Sequence, residues 1–134
     1  MKRTYYCPKC EGVLNPNVRV ILRAKVKRIK ALILLSPVPG NYSIIFPDKF
    51  PLEKGKEVHL SCPICGADVT SKMNSAFAEI YWRTGEMDRG SVIFSRIYGE
   101  HATFFIVGEK VIPYGEDAAP YYQNFFGEGR FKGT

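Results

Sequence analysis

This chain predicts a mainly β protein: an antiparallel sandwich or small barrel with a four-cysteine site and one short C-terminal helix. Three observations carry that prediction. Short segments rich in β-branched and aromatic residues follow one another closely, with turn signals between them and no long helical pattern. The segment from Val18 to Lys27 alternates between apolar and mostly basic residues with the two-residue period of a half-buried strand. All the cysteines fall in two Cys-Pro-x-Cys runs, Cys7 to Cys10 and Cys62 to Cys65, 55 positions apart.

The 134 residues suit one domain spanning 1–134, and 46% hydrophobic with 24% charged residues is a globular composition. The start, Met1-Lys2-Arg3-Thr4-Tyr5-Tyr6-Cys7, is basic but has no apolar stretch behind it, unlike a signal peptide. The longest apolar run, Ala31 to Leu35, is far shorter than a membrane span. A cytoplasmic location and no membrane partner are therefore expected. In that reducing compartment four cysteines read as metal ligands rather than disulfides.

The elements follow in order. Val18, Val20, Leu22, Ala24 and Val26 supply a buried strand face, and Arg19, Arg23, Lys25 and Lys27 an exposed row of cations. A helix started by Asn15-Pro16 is the rival reading; β-branched content and alternation favour the strand. After the charged break Lys27-Arg28-Ile29-Lys30 come "ALILLS", the turn "PVPGN" and "YSIIF", a pair of strands. "KEVHLS" leads into the second cysteine pair, and "AFAEIYWRT", "SVIFSRIY", "ATFFIV" and "KVIPY" complete the strands, separated by turn-like stretches at Gly85–Gly90 and Gly99–His101. Asp117 is placed to cap a helix from Ala118, with Tyr121, Tyr122, Phe125 and Phe126 on one face and Gly127 ending it. Packing onto the sheet is the expected role of those rings, and a stacking platform for bases the sharper alternative. Gly129 to Thr134 reads as a frayed end. No internal repeat is evident beyond the cysteine pairs.

In a Cys-x-x-Cys turn two thiolates converge on one ion while turn amides hydrogen-bond the sulfurs. Two such turns complete a tetrahedron with no open position, the mark of a structural site. Cys7, Cys10, Cys62 and Cys65 are the candidate ligands and Zn²⁺ the expected ion. Gly66 and Gly12 are placed to supply positive φ where the turns leave. "YYCPKCEGVL" and "LSCPICGADV" resemble the knuckles of the zinc β-ribbon, or rubredoxin-type, family, which implies these four cysteines as the ligand set. The 51 residues between Cys10 and Cys62 exceed the roughly 15–20 of compact ribbons, so the strands between are an elaboration. Iron in the same four-thiolate set would make a rubredoxin-like redox protein. A thioredoxin-like dithiol needs one reactive pair beside a βαβ unit, and here two pairs sit in an all-β pattern.

Residues 1–35 hold nine Lys or Arg against Glu11 alone, a charge of +8, while the remaining 99 hold ten against twelve, or −2. Such asymmetry points to an anionic partner, nucleic acid or an acidic protein surface. The candidate contact is Arg19, Arg23, Lys25, Lys27, Arg28 and Lys30. Alternate strand residues stand about 6–7 Å apart, near the phosphate spacing of an extended single strand. An ordinary solvated or aggregation-blocking face is the competing explanation. "RVILR", Arg19 to Arg23, also resembles the Arg-x-x-x-Arg of the PilZ family, which would imply a cyclic-dinucleotide sensor; "LLSPVPG" departs from that family, with Leu34 where Asp or Asn belongs and Gly40 one position late. His59 and His101 read as surface or packed residues, and Glu86/Asp88 and Glu116/Asp117 as turn and cap groups. With no serine in a nucleophile-elbow frame and no glycine-rich phosphate loop, the residues point to a non-enzymatic zinc-binding module rather than an enzyme.

Overall fold

A computed structural model describes residues 3–85 and 88–126, with the side chains of 124–126 left out. Nine strands and a helix follow in order: β1 (Thr4–Tyr6), β2 (Val20–Val26), β3 (Ile29–Leu35), β4 (Ile44–Ile45), β5 (His59–Ser61), β6 (Phe77–Thr84), β7 (Asp88–Ser95), β8 (Thr103–Val107), β9 (Lys110–Tyr114) and α1 (Ala118–Phe126). They form two antiparallel sheets, a five-stranded one ordered β1-β6-β7-β8-β9 and a four-stranded one ordered β4-β3-β2-β5. The expected fold class is the one observed.

The alternation in β2 does what the sequence predicts. Val20, Leu22 and Ala24 are buried between the sheets, while Arg23 and Lys25 are exposed. The strand begins two residues later than expected, so Val18 lies outside it and is 63% exposed rather than buried. The rival helix at Asn15-Pro16 does not form. Val26 pairs with Ile29, leaving Lys27-Arg28 as a two-residue hairpin turn. Lys27 takes the left-handed conformation there (φ 60°), a site that Asn or Gly fills at about 1 kcal/mol less cost. The expected turn at Gly85–Gly90 is shorter, because β7 already starts at Asp88 and pairs it with Thr84. Pro113 fits in β9 because that strand is a sheet edge.

Both faces of the five-stranded sheet are covered. Ala78, Ile80, Trp82, Val92 and Phe105 face the other sheet, with Trp82 stacked on Phe105 at 4.8 Å. Phe77, Ile93 and Phe104 face α1, where Tyr121 meets Phe77 edge-on at 4.7 Å and Tyr122 lies 6.2 Å from Phe104. These two tyrosines therefore pack on the sheet, the role expected of them. The side chains of Phe125 and Phe126, the proposed stop at Gly127 and the tail Gly129–Thr134 lie outside the described residues. Asp117 does not act as the expected cap: its Oδ2 accepts from the His101 amide at 2.9 Å and ties the β7–β8 turn to the helix start.

The pairing reveals a repeat that the sequence conceals. Residues 4–35 and 59–95 each run strand, cysteine knuckle, strand, strand. In each, the residue after the knuckle bonds back to the first strand: Leu14 N to Tyr5 O at 2.7 Å, and Val69 N to Leu60 O at 3.2 Å. Each then accepts from the following strand, from Ile21 N and Glu79 N, both at 2.8 Å. The first strands are exchanged: Tyr5 of β1 pairs with Trp82 of β6, and Leu60 of β5 pairs with Ala24 of β2. Corresponding inner residues, Leu14 and Val69, Leu22 and Ile80, Ala24 and Trp82, Ile33 and Val92, are all buried. Each half thus completes the other's sheet, so neither buries its apolar face alone.

Candidate metal centre

Exchange of the first strands brings the two knuckles together, since β1 enters one and β5 the other. Cys7 Sγ lies 3.8 Å from Cys65 Sγ, Cys10 Sγ lies 3.8 Å from Cys62 Sγ, and all four sulfurs lie within 4.8 Å of one another. A tetrahedron with metal–sulfur bonds of about 2.3 Å has an edge of about 3.8 Å. The four cysteines are positioned to bind a metal ion, as the sequence expected.

The knuckles match bond for bond. Cys7 N donates to Gly12 O at 3.0 Å and Glu11 N to Cys7 O at 2.9 Å; Cys62 N donates to Ala67 O and Gly66 N to Cys62 O, both at 2.9 Å. Amides point at sulfur in both: Lys9 N to Cys7 and Gly12 N to Cys10 at 3.3 Å, Ile64 N to Cys62 at 3.3 Å, and Ala67 N to Cys65 at 3.4 Å. Such donors favour the thiolate over the thiol. The residue after the second cysteine turns left-handed in both knuckles, Gly66 at φ 80° and Glu11 at φ 62°. Gly12 is thus not the positive-φ residue expected. It lies against the opposite knuckle instead: a Cβ there would stand 2.5 Å from Ile64 Cδ1, the movable end of an exposed side chain.

Without an ion, Cys7, Cys10 and Cys62 respond differently to their surroundings. Burial pushes the Cys7 thiol up. Cys10 rises to about 11: the Gly12 amide lowers it, but desolvation and the three neighbouring sulfurs outweigh that help. Cys62 goes the other way, to about 7; burial opposes ionisation, yet the amides of Cys65 and Ile64 and the thiols of Cys7 and Cys65 stabilise this one thiolate. Cys62 thus favours the thiolate while Cys7 and Cys10 resist it, an imbalance that a divalent cation would relieve.

The basic residues are arranged differently from the expected single row. Arg23 and Lys25 project from the outer face of β2, but Arg19 precedes the strand and donates to Ser43 Oγ at 3.4 Å. Lys27 and Arg28 form the hairpin tip, with Lys27 Nζ 3.9 Å from Glu53. Lys30 joins the outer face from β3, directly opposite Lys25, and His59 flanks Lys25 from β5. Leu32 and Ile45, both about half exposed, continue that face as an apolar area. Lys25, Lys27 and His59 also line a depression with Glu57 and Arg96. Arg96 was not singled out in the sequence. It is buried, donating to Val58 O at 2.8 Å, to Ser75 O, and to Glu57 Oε1 at 3.2 Å. Nothing local marks it, because its carbonyl partners lie 21 and 38 positions away.

His59 Nε2 meets Asp68 Oδ2 at 3.2 Å at the surface. His101 is more engaged than a solvated turn residue, with Nδ1 3.0 Å from Glu116 Oε2 and its ring stacked 4.4 Å from Tyr42. Among the described residues no helix is long and apolar enough to cross a membrane. No protein-family model, curated protein or solved structure matches this chain.

Proposed function

We propose that this protein is a non-enzymatic binding module whose two repeats are clasped by a structural Zn²⁺ on Cys7, Cys10, Cys62 and Cys65, and whose basic hairpin contacts single-stranded nucleic acid. The observation that carries the first part is the sulfur cluster, two edges of which have the length of a zinc–thiolate tetrahedron. Four thiolates leave the ion no open position, so it supplies charge neutralisation and cross-linking rather than catalysis. Metal analysis of the purified chain is expected to give about one zinc per chain, with thiols that react only after chelation. Protein that carries iron, or whose melting temperature is unchanged once metal is stripped, overturns this reading.

The nucleic-acid part is supported by Arg23, Lys25 and Lys30 sharing one outer sheet face, with Lys27 and Arg28 at its tip. Affinity for single-stranded RNA or DNA is expected to fall with salt, with a log–log slope near 0.7 per phosphate neutralised. Replacing Arg23, Lys25, Lys27 and Lys30 by Gln flattens that slope by up to about 3. Replacing Lys49, Lys56 and Lys72, which lie elsewhere, does less. Equal losses per residue in both sets, or no binding at low salt, overturn the nucleic-acid assignment.

A further inference from the structure

The outer face of the four-stranded sheet is sorted from charged to apolar along its strands. Cross-strand pairing lays out three rungs about 6–7 Å apart. Nearest the hairpin tip Lys25 pairs with Lys30, and His59 lies on the other side of Lys25. In the middle Arg23 stands opposite Leu32, and at the far end Ile21, Leu34 and Ile45 lie side by side. His59 is engaged by Asp68 at 3.2 Å, whereas Arg23, Lys25 and Lys30 have no carboxylate in ion-pair range among the described residues. Their charge is therefore available to an anion from outside the chain.

The other repeat shows what such an apolar rung accepts. Since Ile33 and Val92 correspond, Leu34 corresponds to Ile93, and the strands beside them match Ile45 with Phe104. Ile93 and Phe104 are buried with Tyr121 and Tyr122 of α1 packed against them, so the rung there takes flat rings as its cover. On the first repeat no helix lies at this place among the described residues, and Leu32 and Ile45 stay about half exposed. A fitting occupant brings ring faces to this rung and anionic groups to the lysines two rungs away, joined in one molecule. Each nucleotide of an unpaired strand has that construction, a phosphate linked to a base whose faces are free to lie on other surfaces. In a duplex those faces are stacked inside and the phosphates alone are offered.

We infer that an unpaired strand lies across the β-strands with its phosphates over Lys25 and Lys30 and its bases on Leu32, Leu34 and Ile45, which rests on the assignment of nucleic acid to this face. The test is fluorescence anisotropy at low salt with the metal-bound full chain, using oligothymidylate and an abasic strand of the same length. Oligothymidylate is expected to bind about 4-fold or more tighter, the gain from burying a methylene-sized area or more of apolar surface. Leu32→Ser combined with Ile45→Ser abolishes that preference and leaves the salt slope, metal content and melting temperature unchanged, since both side chains are half exposed. Lys25→Gln combined with Lys30→Gln weakens both probes, keeps the preference and flattens the slope by about 1.4, at about 0.7 per lysine. Amide-resolved NMR on the unaltered chain is a second readout: oligothymidylate shifts Leu32, Leu34 and Ile45, and the abasic strand does not. Equal affinity for the two strands, or a preference that survives the paired serines, overturns the base contact while the phosphate contact stands. No binding of either strand overturns both and leaves the face to an acidic protein surface.

Discussion

The first repeat, 4–35, and the second, 59–95, share a pairing scheme but differ in what covers them. The outer face of the second is closed by α1, which buries Phe77, Ile93 and Phe104. Among the described residues nothing covers the outer face of the first, and Arg23, Lys25, Lys30 and Leu32 stand exposed on it. One duplicated architecture thus has a finished side and a bare side. A sheet that is buried on one face and charged on the other is stable in water without a cover, so the bare side is free to carry a contact. The knuckles differ more finely: Gly66 takes its left-handed turn without strain, whereas Glu11 takes the same turn against its Cβ.

The largest expected effect removes the element both repeats share. Cys7→Ser and Cys62→Ser should each release the metal and unfold the two repeats together, because site affinity of about 10 kcal/mol or more is folding free energy in such a centre. Metal content and a thermal melt check this. A variant in which one repeat melts well before the other would break the comparison, since exchanged first strands make them one cooperative unit.

Next come the equivalent core positions. Leu22→Ala and Ile80→Ala remove matched side chains that are 0% and 2% exposed, and each should cost about 2–5 kcal/mol in denaturant unfolding. Costs differing by more than about 2 kcal/mol would mean that the repeats match in pairing but not in packing.

The knuckles sharpen the comparison at smaller scale. Glu11→Gly is expected to raise stability by about 0.4–1 kcal/mol and Gly66→Ala to lower it by about 1 kcal/mol, both read from the melt of the metal-bound protein.

The smallest effect comes from one position that is unlike its counterpart. Ile21 corresponds to Glu79, whose carboxyl burial pushes up, partly offset by the Ser71 hydroxyl and Lys72. A raised carboxyl means the folded state keeps its proton longer than the unfolded state, so stability falls as pH rises from the ordinary glutamate value through the folded one, and the penalty stays above it. Glu79→Gln should therefore gain a little stability at pH 7 and nothing at pH 3.5, read from denaturant unfolding at the two pH values. Asp68 has the opposite sign. Burial raises it, but the Thr70 hydroxyl and amide and His59 outweigh burial and hold it low, so its contribution is present above the ordinary aspartate range and lost as pH falls through its folded value. Asp68→Asn should remove that acid-side loss.

Local chemistry made several features legible. The period of Val20 to Val26 identified the buried face because a strand's side chains alternate whatever it pairs with, and the doubled Cys-Pro-x-Cys identified the candidate metal site because each knuckle's geometry is nearly complete within six residues. Three-residue β1 gave no pattern to read. Gly12 was assigned to backbone conformation, and its neighbour across the site, Ile64, is 52 positions away. The repeat stayed hidden because its matches are pairings: Ala24 stands where Trp82 stands, unlike in chemistry yet equivalent in register.

By itself, then, the sequence determined the fold class, the buried face of β2 and the four cysteines that cluster, all of which depend on residues close in the chain. Tertiary structure alone decided the exchange of first strands that brings the knuckles together, the division of the cations between two strands and a turn, and the burial of Arg96. Each of these depends on which distant segments meet. A two-residue period fixes which side of a strand is buried but leaves its partner open, and partner choice is settled only when both sheets bury their apolar faces at once.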